Sequence, residues 1–341
     1  MIEISPIADC QGPNDSGAPR PLGAALGPQS KAGYGFSMVE LLVTMTLLSL
    51  IVLVLMAVFN STQRAFRASV TQTDVLEGGR AVVDLMTSDL RNLAPSDGVS
   101  NYIYEGNNSY IYGGVNFFVT NNNSSYLTGY APLPQTLPGS SVQRTNLLQY
   151  FFVLGRENTE WTGAGYVVNS GSSSPLYPLY RFYMETNLNS GPLALFEQFQ
   201  TEIARAQWTN MSHVMDGVVH LVVRAYDPNG YRMTNTLGYT SSYLPLPPGI
   251  LTNQNDNVWF SQPIWGEVGM TCYSNAVPAS VELQMGILED RPRQHAETLG
   301  IAGISPPENP AQWKYLESQA GHVYVFRERV SVPNVDPTAY Q

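Results

Sequence analysis

Gly35-Phe36-Ser37-Met38-Val39-Glu40-Leu41-Leu42-Val43 opens a run that stays apolar or nearly so to Phe59. Between Leu41 and Phe59 there is no charge, no proline and no glycine. Coiled as a helix at about 1.5 Å per residue, that run is roughly 28 Å long, close to the hydrocarbon core of a bilayer. One carboxylate, Glu40, stands at its mouth. A charge at bilayer depth costs about 2.5–3.5 kcal/mol on insertion scales and is usually retained for a partner.

A small residue, an aromatic, a lone glutamate at fixed spacing and a spanning apolar run together resemble the prepilin cleavage motif of type IV pilins and type II secretion pseudopilins. The resemblance implies that a prepilin peptidase cuts between Gly35 and Phe36, and that Phe36 becomes the N-methylated first residue. Glu40 is then the fifth residue of the mature chain. The resemblance also makes Glu40 the assembly residue, paired with the cationic N-terminal amine of a neighbouring subunit, so that each charge lowers the cost of the other in lipid. Two plainer readings stand beside it. An ordinary signal anchor needs no charge in its apolar block, and a glutamate at this depth can snorkel to the headgroups.

N-terminal to the motif, residues 1–34 are rich in Gly, Pro, Ala and Ser and show no amphipathic period, which reads as a disordered leader. Its charges are Glu3, Asp9, Asp15, Arg20 and Lys31. Lys31 on one side of the apolar run faces Arg64 and Arg67 on the other, so basic residues do not set the orientation. The cleavage motif sets it: leader in the cytoplasm, bulk in the periplasm, one pass through a bacterial inner membrane.

C-terminal to the motif, Asn60 to Thr73 holds good helix formers and no breaker, with Phe66 and Val70 four apart. After Gly78-Gly79, Val83, Met86, Leu90 and Leu93 recur at helical spacing, and Arg80 faces Asp84 one turn on. Pro95 and Ser96-Asp97-Gly98 end the pattern. The glycine pair predicts a kink or a short break. Glu77-Gly78-Gly79-Arg80-Ala81-Val82-Val83-Asp84-Leu85-Met86-Thr87-Ser88-Asp89-Leu90-Arg91 resembles the post-anchor segment of J-type minor pseudopilins and the related W-type minor pilins.

Residues 100 to 145 are low in complexity, rich in Asn, Ser, Tyr and Gly, then proline-rich from Ala131 to Pro138. They read as a long, mostly solvated insertion, with Tyr110 to Val119 among the candidate strands. Beyond it, strands are predicted over Leu147 to Leu154 and Leu179 to Glu185, and a helix over Leu193 to Trp208 packing outside a sheet. Val218 to Asp227 alternates: Val219, Leu221, Val223 and Ala225 on one face, His220, Arg224 and Tyr226 on the other. Asp227-Pro228-Asn229-Gly230 is a type I turn. In Ser280 to Glu289, Val281, Leu283, Met285 and Ile287 face in, with Glu282 and Gln284 outward. The stripe from Val83 to Leu93 is the expected cover for that inner face. Asn309-Pro310-Ala311-Gln312 starts a helix that Gly321 stops. His322 to Val332 is a last strand. Pro278-Ala279-Ser280-Val281-Glu282-Leu283 resembles the late proline-and-strand signal of the J- and W-type proteins. More loosely, the layout is similar to prepilin-like cassette proteins of Verrucomicrobia.

The 17 basic against 27 acidic residues, net −10, leave no basic stripe to neutralise phosphates, which excludes nucleic acid as a partner. Cys10 falls in the leader, so Cys272 has no intramolecular partner and reads as a small buried residue. His213, His220, His295 and His322 show no metal-ligand spacing, and no nucleophile elbow or phosphate-binding loop is present. Asp227 with Asn229, and Asn253, Asn255, Asp256 and Asn257, are acid-amide runs without an EF-hand pattern. No catalytic residue, metal site or cofactor is expected.

The expected fold is α+β and pilin-like: a long N-terminal membrane-spanning helix packed on antiparallel sheet. Four segments follow: 1–35 leader, 36–60 transmembrane and assembly helix, 61–95 amphipathic extension, and 96–341 a β-rich periplasmic domain with polar insertions. The expected function is that of a minor pseudopilin or pilin-like subunit in a type II secretion-like or type IV pilus-like filament, not an enzyme. Its partners would be prepilin peptidase, other pilins or pseudopilins, inner-membrane lipid and secreted cargo. The alternatives are a surface minor pilin whose loops bind glycan, and a membrane-anchored periplasmic enzyme.

Overall fold

The computed structural model describes residues 35–96, 103–105, 109–111, 114–122, 132–158, 160–172, 174–187, 191–234, 257–260 and 265–340. The chain divides into two compact units, residues 1–62 and 63–341. In the first, the described residues are Gly35 to Thr62, helical from Met38 onward, and every one is exposed. The helix, α1, runs Met38–Arg91 and is long and apolar enough to cross a membrane.

The second unit carries the rest of α1 and antiparallel sheet, so the molecule is α+β. The strands are β1 Ile103–Glu105, β2 Ser109–Ile111, β3 Val115–Asn121, β4 Leu133–Thr136, β5 Gln143–Asn146, β6 Gln149–Glu157, β7 Glu160–Val168, β8 Leu179–Asn187, β9 Ser212–Met215, β10 Val218–Tyr226, β11 Val258–Phe260, β12 Met270–Tyr273, β13 Ser280–Leu288 and β14 Val323–Ser331. Helices α2 Leu193–Ala204, α3 Asp290–Thr298 and α4 Pro310–Glu317 are interspersed. One sheet has seven strands in the order β11-β12-β3-β6-β7-β8-β9, and another has three, β10-β13-β14. Hairpins β1-β2 and β4-β5 stand apart from both.

Alternation explains why the seven-stranded sheet needs cover on both faces. Along β6, Phe151 and Val153 join the core formed with α1 and the three-stranded sheet. Their neighbours Tyr150, Phe152 and Leu154 join a second core under α2. A strand buried on both sides reads as a continuous apolar run, as Tyr150 to Leu154 does. On α2, Leu195, Phe199 and Ile203 are buried at four-residue spacing. Phe199 lies over β7 at Gly165, where an added Cβ would stand 2.4 Å from the ring.

The three-stranded sheet presents Val281, Leu283, Met285 and Ile287 to the same core as Val82, Val83, Met86, Leu90 and Leu93 of α1. That is the cover expected for the inner face. The Gly78-Gly79 pair does not break the helix: α1 is continuous through it. The pair is there for closeness, since a Cβ on Gly79 would sit 2.4 Å from the Phe326 ring and 2.8 Å from Ile287 Cδ1.

Other expectations are corrected. Arg80 and Asp84 are both exposed and form no ion pair among the described residues. Glu282 does not face water, being only 4% exposed, because arginines on both neighbouring strands reach it. The insertion is not a solvated loop throughout. β3 lies inside the seven-stranded sheet, its Asn116 wholly buried and donating to the Ser274 and Ala276 carbonyls. Helix α2 ends at Ala204 rather than Trp208, which begins a 3-10 turn. Helix α4 ends at Glu317, and Gly321 falls in a separate 3-10 turn. Its start is as expected: Asn309 Oδ1 accepts from the Gln312 N–H at 3.4 Å, with Pro310 in the first turn. The turn after β10 closes with Gly230 N–H donating to Asp227 O at 3.0 Å.

Candidate functional site

The site is built where coil gives way to α1. Gly35, Phe36 and Ser37 precede the helix, and an added Cβ on Gly35 would meet nothing within 4 Å. The Gly35–Phe36 bond therefore sits on open backbone, with Phe36 82% exposed.

Ser37 and Glu40 then form a reciprocal cap. Ser37 Oγ accepts from the Val39 N–H at 3.2 Å, and Glu40 Oε2 accepts from the Ser37 N–H at 3.0 Å. This is a capping box, Ser-x-x-Glu, which satisfies two amide donors that a helix start leaves open. The carboxylate also sits at the positive end of the helix dipole. The same four residues carry this signal in the sequence, where the resemblance to a cleavage motif masks it. Glu40 thus has a local structural task, and its other oxygen, Oε1, is not used by the cap.

Within the apolar run the polar side chains turn inward on the backbone. Thr44, Thr46 and Ser49 donate to the carbonyls three residues earlier, at 2.9–3.0 Å. Such bonds remove hydroxyl groups from a hydrocarbon surround.

Two charged groupings in the second unit were not legible from the sequence. Asp89 of α1 accepts two hydrogen bonds from Arg181, at 2.8 and 2.9 Å, and one from the Tyr166 hydroxyl at 2.5 Å. Burial, then the Asp89 charge, pushes the Tyr166 hydroxyl well above its ordinary value, so it remains a donor. Glu282 accepts from Arg224 at 3.1 Å and Arg327 at 2.8 Å, while Arg224 and Arg232 also hold Glu267. Burial opposes ionisation of Glu282, but hydrogen bonds from Arg327 and Arg224 outweigh it and hold the carboxyl below its ordinary value. An acid interrupting an apolar stripe was the available signal for Asp89; its partner lies 92 residues away.

The histidines are dispersed. His213 binds Asp216, His322 binds Glu289, His295 packs edge-on to Tyr315, and His220 is buried. Cys272 is buried and free, and burial pushes its thiol up to about 12, so it is no nucleophile at neutral pH. Among the described residues no three His, Cys, Asp or Glu side chains gather as a metal site. Asp227 is engaged by its own turn, through the Tyr231 N–H and the Asn229 amide. Asn257 donates to Asn275 at 2.9 Å. Asn253, Asn255, Asp256, Cys10 and leader residues 1–34 lie outside the described residues.

Comparison with protein-family models, with curated proteins and with solved structures finds no match to this chain.

Proposed function

We propose that this chain is a minor pseudopilin-like structural subunit with a pilin-like fold. It is a substrate of prepilin peptidase, cut between Gly35 and Phe36, N-methylated on Phe36, and assembled through α1 with other subunits of a type II secretion-like or type IV pilus-like filament. Before assembly it crosses the bacterial inner membrane once, with the sheet-bearing part in the periplasm. The observation that carries this reading is Gly35-Phe36 on open backbone directly before a helix whose apolar run begins behind one glutamate.

The exposed stripe on α1 adds support. Phe59, Phe66 and Val70 recur at seven and four residues, on one side of the helix, and are 60%, 70% and 41% exposed. Phe66 and Val70 lie beyond the apolar run, where lipid no longer covers them. Parallel helices of neighbouring subunits would.

The capping box makes the usual alanine test ambiguous, because Glu40→Ala removes both the cap and the charge. Glu40→Gln separates them, since a glutamine amide oxygen still accepts from the Ser37 N–H. With the peptidase co-expressed, both variants are expected to be cleaved and inserted, and both to assemble poorly. A Glu40→Gln chain that assembles like wild type would reduce Glu40 to a helix cap.

A further inference from the structure

Strand β14 is the outer strand of the three-stranded sheet, paired with β13 on one side only. Register decides what its other side offers. Glu289 N–H donates to His322 O and Val332 N–H donates to Ala279 O, at 2.9 and 3.0 Å, which marks hydrogen-bonded pairs at either end of the ladder. In an antiparallel pair these recur at every second residue. The even-numbered residues of β14 therefore bond to β13, while Val323, Val325, Arg327, Arg329 and Ser331 turn their N–H and C=O groups to the open edge. The last four are exposed, Arg327 over 65% of its side chain. From Val325 to Ser331 that edge is about 20 Å long.

The side chains of the same residues share the face opposite Phe326, which packs toward α1 at Gly79. On that face arginine outnumbers carboxylate. Arg224, Arg232 and Arg327 share two acids, Glu267 and Glu282. Arg329 has no ion-pair partner among the described residues: its Nε donates to Ser280 Oγ at 3.0 Å, and its guanidinium lies 3.9 Å from the Tyr226 ring centroid. Glu328, the remaining charge on β14, belongs to the other face.

Charged residues on an edge discourage indiscriminate pairing. They do so here against a second copy, since β14 laid antiparallel on itself about its midpoint sets Arg327 opposite Arg327. An acidic strand meets the reverse condition. We propose that the free edge of β14 receives, by strand addition, an extended acidic segment of another protein. Main-chain hydrogen bonds hold the guest along the edge, and carboxylates two residues apart meet Arg327 and Arg329. An antiparallel guest reads acid-x-acid-x-apolar, its apolar residue lying against Val325, which is 44% exposed. The net charge of −10 repels acidic chains elsewhere on the surface, so such a guest is steered to this edge.

The test uses the full-length chain in nanodiscs and a fluorescent peptide, Thr-Thr-Glu-Thr-Glu-Thr-Val-Thr-Thr, with binding read by anisotropy. Two companion peptides separate the contributions. One has lysine in place of both glutamates; the other is methylated on both glutamate amide nitrogens, which keeps the charges and blocks strand pairing. The acidic peptide is expected to bind, and each companion about tenfold more weakly or worse. Arg329→Gln should weaken the acidic peptide about fivefold. Val325→Pro removes an edge N–H without touching an arginine and should weaken it as well. If that variant unfolds, the methylated peptide makes the same test on the unaltered protein. No binding of the acidic peptide at about 1 mM overturns the proposal. Equal binding of either companion, or unchanged affinity in Arg329→Gln, overturns it too. Self-association that Val325→Pro abolishes, with no peptide bound, would assign the edge to a second copy and likewise overturn it. An unprocessed chain presents the same edge, so failure here leaves the cleavage reading standing.

Discussion

His220 shows how one side chain couples this fold to pH. Its Nδ1 accepts from the Leu147 N–H at 3.1 Å, which puts the ring proton on Nε2, buried and without a partner among the described residues. Burial, then the charges of Arg144 and Arg224, lowers its pKa from 6.5 to about 4. The unfolded chain binds a proton near pH 6.5 while the folded chain resists until about pH 4. Stability from the neutral ring is therefore complete above pH 6.5 and is lost as pH falls toward 4, by up to about 3 kcal/mol. Denaturant titrations across that window should show a shallower acid loss in His220→Gln than in wild type. Identical slopes would contradict the assignment. The imidazole is plain in the sequence, and alternation places it correctly opposite Leu221, but nothing local announces Arg144. Glu282 failed in the opposite sense: alternation set it outward, and arginines from two other strands enclosed it.

Among the elements, α1 carries most of the information and most of the correction. Its apolar run, the Val83–Leu93 stripe and its end were legible because each is a local pattern. Continuity through Gly78-Gly79 was not, because propensity treats a glycine pair as a weakness and cannot see what lies across from it. Helix propensity alone favours alanine over glycine by about 1 kcal/mol. At Gly79 the new methyl would enter the Phe326 ring at 2.4 Å, and overpacking costs about 1–3 kcal/mol. Gly79→Ala is therefore expected to lower the thermal midpoint; a rise would mean that Phe326 yields freely. The strands β10 and β13 were readable from alternation, and a last strand was expected over His322 to Val332, where β14 lies. For β3, Tyr110 to Val119 offered a candidate strand, but its place inside the large sheet was hidden, since its buried Asn116 looks in sequence like the polar residues of the insertion around it.

For the molecule as a whole, local patterns gave the class, a long apolar helix followed by antiparallel strands, but not the strand order. Placing β3 between β6 and β12 joins residues far apart in the chain, which no period reveals. The proposed processing site is local for the opposite reason: all its residues lie within Gly35 to Glu40. The same compactness hid the capping box, since one glutamate serves two signals. The central claim is that Gly35–Phe36 is cut and the new end methylated, and intact-mass measurement of the chain recovered from membranes containing prepilin peptidase tests it most directly. The account predicts a polypeptide beginning at Phe36 and carrying one added methyl group. A chain still beginning at Met1, or trimmed at another bond, would contradict it.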